Sequence, residues 1–294
     1  MDFSSRWYKA GASIIAAGVA ARYIAKWKRG RTLARRAQDE GRLSNLSKYY
    51  IGLDLTNPAL DKIGKKPSNI AVLDPQLACD FSDWQYNERG EGIIPEIALG
   101  HSFILAIDRP QGLTGQKGSD SRQSELYIQR DVGIGMPCRT SYELLPVDAP
   151  FAGLVNASVR LFYQLVTTSG RFRLLGMNGI ESHNANLVEV YPGAAWRVLA
   201  GTDKLPRKDT LKGRQVRREL LEGQGVSFST TKPPTTDQLD AAMASWTAYC
   251  FDINKAIEQG IAPILDEQKG VIREGFIVQP KLFKEKLVTT RRVN

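Results

Sequence analysis

Five carboxylates in this chain stand where an enzyme would use them. Asp54 and Asp108 lie at or near the ends of short apolar runs, YYIGLDL at 49–55 and SFILAID at 102–108. Such runs read as buried strands, and in an open sheet ligands bind in the crevice beyond the strand carboxyl ends. Glu189 stands near the end of a third run, LVEVY at 187–191, which Pro192 stops. Asp237 and Asp240 lie three apart in a stretch that reads as a helix, so both can project from one face. If that helix packs beside the sheet, four aspartates converge, and carboxylates so gathered repel one another unless a cation sits among them. Mg²⁺ or Mn²⁺ suits such an oxygen-only set, with Asp54, Asp108 and Asp240 as ligands and Asp237 or Glu189 completing it. Two such ions about 4 Å apart can clamp the attacking and leaving oxygens of a phosphodiester cleavage. Metal-held water would be the nucleophile, so no histidine is needed. The chain has only two, His101 and His183, which excludes HExxH and three-histidine zinc sites.

Each acid also has a plainer use. A strand-end Asp is often a turn former, and Asp237 near a helix start serves equally well as a capping or dipole residue. Glu189 can be a ligand, a substrate contact, or a support for Tyr191. Arg109 directly follows Asp108. A guanidinium there either weakens metal binding or takes the scissile phosphate. An Arg109 ion pair filling the gap between Asp54 and Asp108 would favour a catalytically silent scaffold.

The segment 204–218 carries seven basic residues, among them Lys208, Lys212, Arg214, Arg217 and Arg218, against one acid, Asp209. A charge run of this kind is either a solvated helix face or a phosphate clamp beside the carboxylates. Trp84 and Trp246 can stack on bases or fill the core.

The elements that must position these groups lie in a chain of 294 residues, 42% hydrophobic with 10 Phe, 10 Tyr and 5 Trp, enough for a large core. The net charge of +9 is uneven: residues 1–48 hold 11 of the 40 basic residues and 3 of the 31 acids. The division expected is therefore a basic helical arm at 1–48 and a nearly neutral domain at 49–294. Within the arm, AGASIIAAGVAA at 10–21 is uncharged but shorter than the ~20 residues a spanning helix needs. It has the length of a signal-peptide core, but Arg22, Lys26, Lys28 and Arg29 follow at once and the cleavage site is poor. Three widely spaced cysteines with no CxxC fit reduced thiols, so the expected location is cytoplasmic. Tyr8, Ile15, Val19, Tyr23 and Trp27 recur at spacings of four or seven and form an imperfect apolar seam. The arm then packs on the body, on a second copy or partner protein, on an anionic membrane surface, or on nucleic-acid phosphates.

In the body, strands are expected at 49–55, 69–74, 76–86, 102–108 and 187–191, and a mobile loop at 112–124. Helices are expected at 151–168, 193–200, 210–224 and 236–258, the last capped by Thr236, with a linker at 227–236. A meander followed by strand–helix alternation predicts an α/β fold, a mixed sheet with helices on both faces.

These segments resemble domain-of-unknown-function family 429, predicted nucleases of the ribonuclease H-like fold. The resemblance rests on IGLDL around Asp54, FILAIDRP around Asp108, VEVYPGAAWRVLAG around Glu189, KGRQVRRELLEGQG at 212–225 and DQLDAAMASWTAY around Asp240, in that order. It implies a ribonuclease H-like sheet flanked by helices, with the arm as an N-terminal extension, and metal-dependent cleavage of DNA or RNA. In that comparison Asp54 takes the part of the central-strand acid and Asp108 that of the fourth-strand acid. Asp237 and Asp240 are similar to the paired helix acids of RuvC-type resolvases. The fold is shared by sugar-kinase, actin and heat-shock ATPases, whose opening acid is followed by a glycine-bearing phosphate loop. Here Leu55, Thr56, Asn57 and Pro58 follow Asp54, with no glycine, so an ATP-dependent switch ranks below a nuclease. A non-catalytic interaction module anchored by the arm is the other alternative.

Overall fold

The computed structural model describes residues 48–58, 66–201 and 204–281. The helical arm expected at 1–48 lies outside these residues except for Lys48. Lys48 opens the first strand, β1 (Lys48–Asp54), where its ammonium pairs with Asp252 at 2.6 Å.

Next come β2 (Ser68–Leu73), β3 (Ala78–Trp84) and β4 (Ser102–Asp108). Helices α1 (Gln123–Val132) and α2 (Ala152–Thr168) precede β5 (Leu187–Val190), and α3 (Pro192–Ala200) and α4 (Leu211–Glu222) follow it. The described chain closes with β6 (Ser227–Phe228), α5 (Thr236–Asp252), β7 (Ala256–Asp266) and β8 (Val271–Pro280). The strands form one eight-stranded mixed sheet in the order β6-β3-β2-β1-β4-β5-β8-β7. β1, β2 and β3 make an antiparallel meander, while β4 pairs parallel to β1, β5 to β4 and β8 to β5.

Period-two alternation divides the sheet between two cores. Tyr50, Ile104, Ala106, Val188 and Val190 face the side covered by α5, with Trp196 and Leu199 of α3 and Leu221 of α4. Ile51, Leu53, Leu105, Ile107 and Leu187 face the other, against Leu161, Phe162 and Leu165 of α2. The mixed sheet flanked by helices is thus present.

Gly52 sets how close α5 comes to β1. A Cβ there would stand 2.0 Å from the carbonyl oxygen of Ala241 and 2.3 Å from the amide nitrogen of Ser245, so the helix backbone rests directly on the strand. Ser245 Oγ seals the contact by donating to the Tyr50 carbonyl at 2.6 Å. This approach carries Asp240, one residue before Ala241, to the end of β1. Gly52→Ala is expected to destabilise the protein by about 1–3 kcal/mol or more, the cost of overpacking a filled core. A urea melt measures this, and an unchanged midpoint would mean the helix can lift without loss.

Several sequence expectations need correction. The long helix ends at Asp252, not at 258, because Asn254 takes φ +58° and the Lys255 amide turns back to the Cys250 carbonyl. Its cap is Thr235, not Thr236: Thr235 Oγ1 accepts from the Gln238 amide, and Gln238 Oε1 accepts from the Thr235 amide. The linker at 227–236 opens with the short β6. Helix α1 and the β7–β8 hairpin were not anticipated.

Candidate functional site

Asp54 and Asp108 are register partners at the carboxyl ends of two neighbouring parallel strands. Both fall on the α5 face. One guanidinium serves the two: Arg109 Nη2 lies 2.9 Å from Asp54 Oδ1, and Nη1 donates to Asp108 Oδ2 at 2.8 Å. The ion pair that the sequence marked as favouring a scaffold is therefore present. Even so, burial pushes Asp54 up to about 8 and Asp108 up to about 6, against the pull of Arg109. Asp240 adds to the rise at both, and Asp237 adds a smaller push at Asp54. Lys208 adds a second positive charge that pulls on Asp108, but burial outweighs both cations.

Asp240 enters from the first turns of α5 and is 6% exposed. Trp196 Nε1 donates to its Oδ1 at 2.7 Å, and Lys208 Nζ donates to its Oδ2 at 2.8 Å. Lys208 is aimed by the turn before α4. There Gly213, whose Cβ would stand 1.8 Å from the Arg207 carbonyl oxygen, lets the helix press on the residue preceding Lys208. Asp237 is instead paired with Lys66 at 2.8 Å.

Glu189 departs from the expectation of a ligand or substrate contact. In β5 it is the register partner of Ile107, while Asp108 is matched with Val190. Alternation therefore sends Glu189 to the face opposite the aspartates. It is fully buried, and both its oxygens accept from Arg122, at 2.6 and 2.7 Å, with the Gln111 amide donating at 2.8 Å. Its part is structural: it fixes the turn from which Arg109 reaches across.

A cavity of about 490 Å³ opens at Asp108 and Asp240. Arg109, Lys208 and Arg217 of the expected basic residues line it, whereas Lys212, Arg214 and Arg218 do not. Arg218 is held elsewhere, by Glu222 at 2.7 Å and the Thr231 carbonyl at 2.9 Å. Trp84 and Trp246 are buried in the two cores and offer no face for stacking. Sequence reasoning missed Tyr191, Trp196 and Arg197, and the wall from Ile134 to Cys138. The signal for the first three was their place in EVYPGAAWR, at the start of the helix after β5; the wall carries no motif.

Three carboxylates without histidine suit a hard divalent cation in kind. Among the described residues no group of three or more His, Cys, Asp or Glu is close enough to hold an ion by itself. Mg²⁺ commonly needs only one or two carboxylates, with waters and substrate phosphates filling its octahedron. The register pair Asp54–Asp108 offers two such carboxylates, both bridged by Arg109, whereas Asp240 has an oxygen committed to each of two donors.

Comparison with known families bears on this geometry. The family model described as "Protein of unknown function (DUF429)" matches residues 93–260, more than half of the chain, and the chain belongs to that family. The matched segment contains Asp108, Glu189, Lys208, Arg217 and Asp240, while β1 with Asp54 precedes it. Neither the curated proteins nor the solved structures gave a match. Among the described residues no helix is long and apolar enough to cross a membrane.

Proposed function

We propose that this protein is a divalent-metal-dependent phosphodiester hydrolase that acts on nucleic acid and has a ribonuclease H-like sheet. The observation that carries the reading is the register pair of Asp54 and Asp108 at adjacent strand ends, with Asp240 leaning in from the helix packed on β1. The meander of β1–β3 with β4 and β5 added parallel beside β1 supports the fold assignment.

Asp54 and Asp108 would hold the ion, Mg²⁺ or Mn²⁺. When bound, such an ion supplies a Lewis acid for the phosphate and lowers the pKa of water. Lys208 and Arg217, with Arg109 once it is displaced, draw phosphate oxygens to the carboxylates. Asp240 keeps Lys208 in place, and the Trp196 indole fixes Asp240.

A second reading has its own support. Arg109 bridging both acids is the arrangement of a permanent, silent ion pair, which would make the domain an interaction module. The Arg109→Met variant separates the two. If the acids are a metal site, removing the competing guanidinium should tighten Mn²⁺ binding by about tenfold or more, seen by titration calorimetry. A silent site would show no Mn²⁺ binding in either protein, together with loss of stability in the variant. A scan of DNA and RNA substrates with Mg²⁺ and Mn²⁺ tests cleavage itself.

The cytoplasmic location belongs with this proposal. So does a part for residues 1–48 in binding nucleic acid, a second copy, a partner protein or a membrane surface; residues 1–47 lie outside the described chain.

A further inference from the structure

The cavity beside the carboxylates holds two arginines that no carboxylate pairs with among the described residues. Arg197 on α3 makes one bond, from Nη1 to the Gly133 carbonyl at 2.8 Å. Arg217 on α4 is 8% exposed and gives Nη1 to the carbonyls of Pro206 and Gly213, each at 3.0 Å. Its Nε is buried without a partner, as is the Nε of Arg109. All three side chains line the same space. A buried N–H with no acceptor is costly, and Arg217 has only the nearby charge of Asp240 to offset it, so an arriving anion would satisfy it.

The rest of the lining gives the shape of that anion's carrier. Trp196 and Tyr191 supply rings, and Ile134, Met136, Pro137 and Leu154 supply an apolar wall. The Arg217 guanidinium lies 5.7 Å from the centre of the Trp196 ring. Guanidinium groups, a ring and aliphatic side chains thus line one space, a combination that can take a phosphate joined to a planar base. A base stacked and paired inside a duplex cannot enter such a space without being extruded.

We infer that this cavity binds one nucleotide unit of a single strand, with its phosphate on Arg197 and Arg217 and its base against Tyr191, Ile134, Met136 and Pro137. The inference rests on the reading of the site as a nucleic-acid site, and it names the substrate as unpaired strand. Arg197 is the better probe of the two arginines, since it holds a single carbonyl, whereas Arg217 also anchors the 206–213 turn.

The test is equilibrium binding of the full chain without divalent metal, by fluorescence anisotropy, so that cleavage plays no part. A labelled single-stranded hexanucleotide should bind about ten- to hundredfold more tightly than a hairpin duplex of equal phosphate number. Arg197→Met should lower single-strand affinity about tenfold or more, with an unchanged thermal midpoint, and leave duplex affinity nearly as it was. Arg217→Lys, which keeps the charge but not the planar fork, should lower it less. A mononucleotide that competes as well as the hexanucleotide places the whole recognition within one unit; a weaker competitor shows that the neighbouring phosphates also bind, and either result keeps the single-strand assignment. Equal affinity for duplex and single strand, or no effect of Arg197→Met, overturns it. Single strands that bind but are never cleaved leave this inference standing and count against the hydrolase. Cleavage with a duplex preference does the reverse.

Discussion

Arg122→Met is expected to destabilise the protein by about 3–5 kcal/mol, among the largest effects of any single replacement outside the cores. Arg122 is fully buried. Its Nε donates to Glu125 at 2.9 Å, and its two terminal nitrogens donate to Glu189 at 2.7 and 2.6 Å. Thr140 Oγ1 and the Arg122 amide complete the bonds to Glu125, at 2.7 and 3.2 Å. Methionine fills much of the volume but strands two carboxylates away from water, which is the costly way to break a buried ion pair. Adding Glu189→Gln to Arg122→Met should recover part of the loss by removing one stranded charge. Urea melts of the wild type, the single variant and the double variant check both statements. A single variant within about 1 kcal/mol of the wild type would mean that the network relaxes into solvent. The effect should also reach the site, because Glu189 holds the Gln111 amide two residues beyond Arg109.

The sheet was legible where apolar runs were bounded by turns and acids. β4 was expected at 102–108 and runs over those residues, and β1, β5 and helices α2 to α4 differ by only a few residues at their ends. The β7–β8 hairpin was not legible. β8 is buried on both faces for nearly its whole length, so it shows no alternation, and Arg273, Glu274 and Gly275 interrupt it with apparent polarity. Those side chains are satisfied outside their own strand: Arg273 by Asp266 across the hairpin and by the distant Thr114 carbonyl, and Glu274 by the amides of Gly115 and Gln123. Helix α1 was hidden for a related reason, since its buried residues are Ser124, Glu125 and Ile128, which carry almost no apolar period. In the site, Asp54 and Asp108 could be paired from strand endings alone. The side on which Glu189 falls depends on the offset of β5 against β4, a one-residue matter that strand position cannot supply. Arg109 was visible as a neighbour of Asp108, but its reach to Asp54 follows from the parallel pairing.

Asp54→Asn should remove metal-dependent cleavage, by at least about a hundredfold, while the protein becomes no less stable. The amide keeps the shape of the carboxylate, so β1, Gly52 and the seat of α5 are undisturbed. It discards one of the two charges that would hold the ion and leaves Arg109 paired with Asp108 alone. Stability should respond to pH in a defined direction. Burial lifts Asp54 from its ordinary 3.8 to about 8, so its contribution to stability is fully present below 3.8 and is lost as pH rises through about 8. Metal-free wild type should therefore weaken over that range, and Asp54→Asn should weaken less, with the gap between their urea midpoints widening as pH rises. Mn²⁺ should narrow the gap by stabilising only the wild type. Cleavage by Asp54→Asn at the wild-type rate would remove Asp54 from the site. A variant that loses cleavage but also unfolds would show that the carboxylate holds the sheet, and Asp108→Asn would then have to carry the catalytic test.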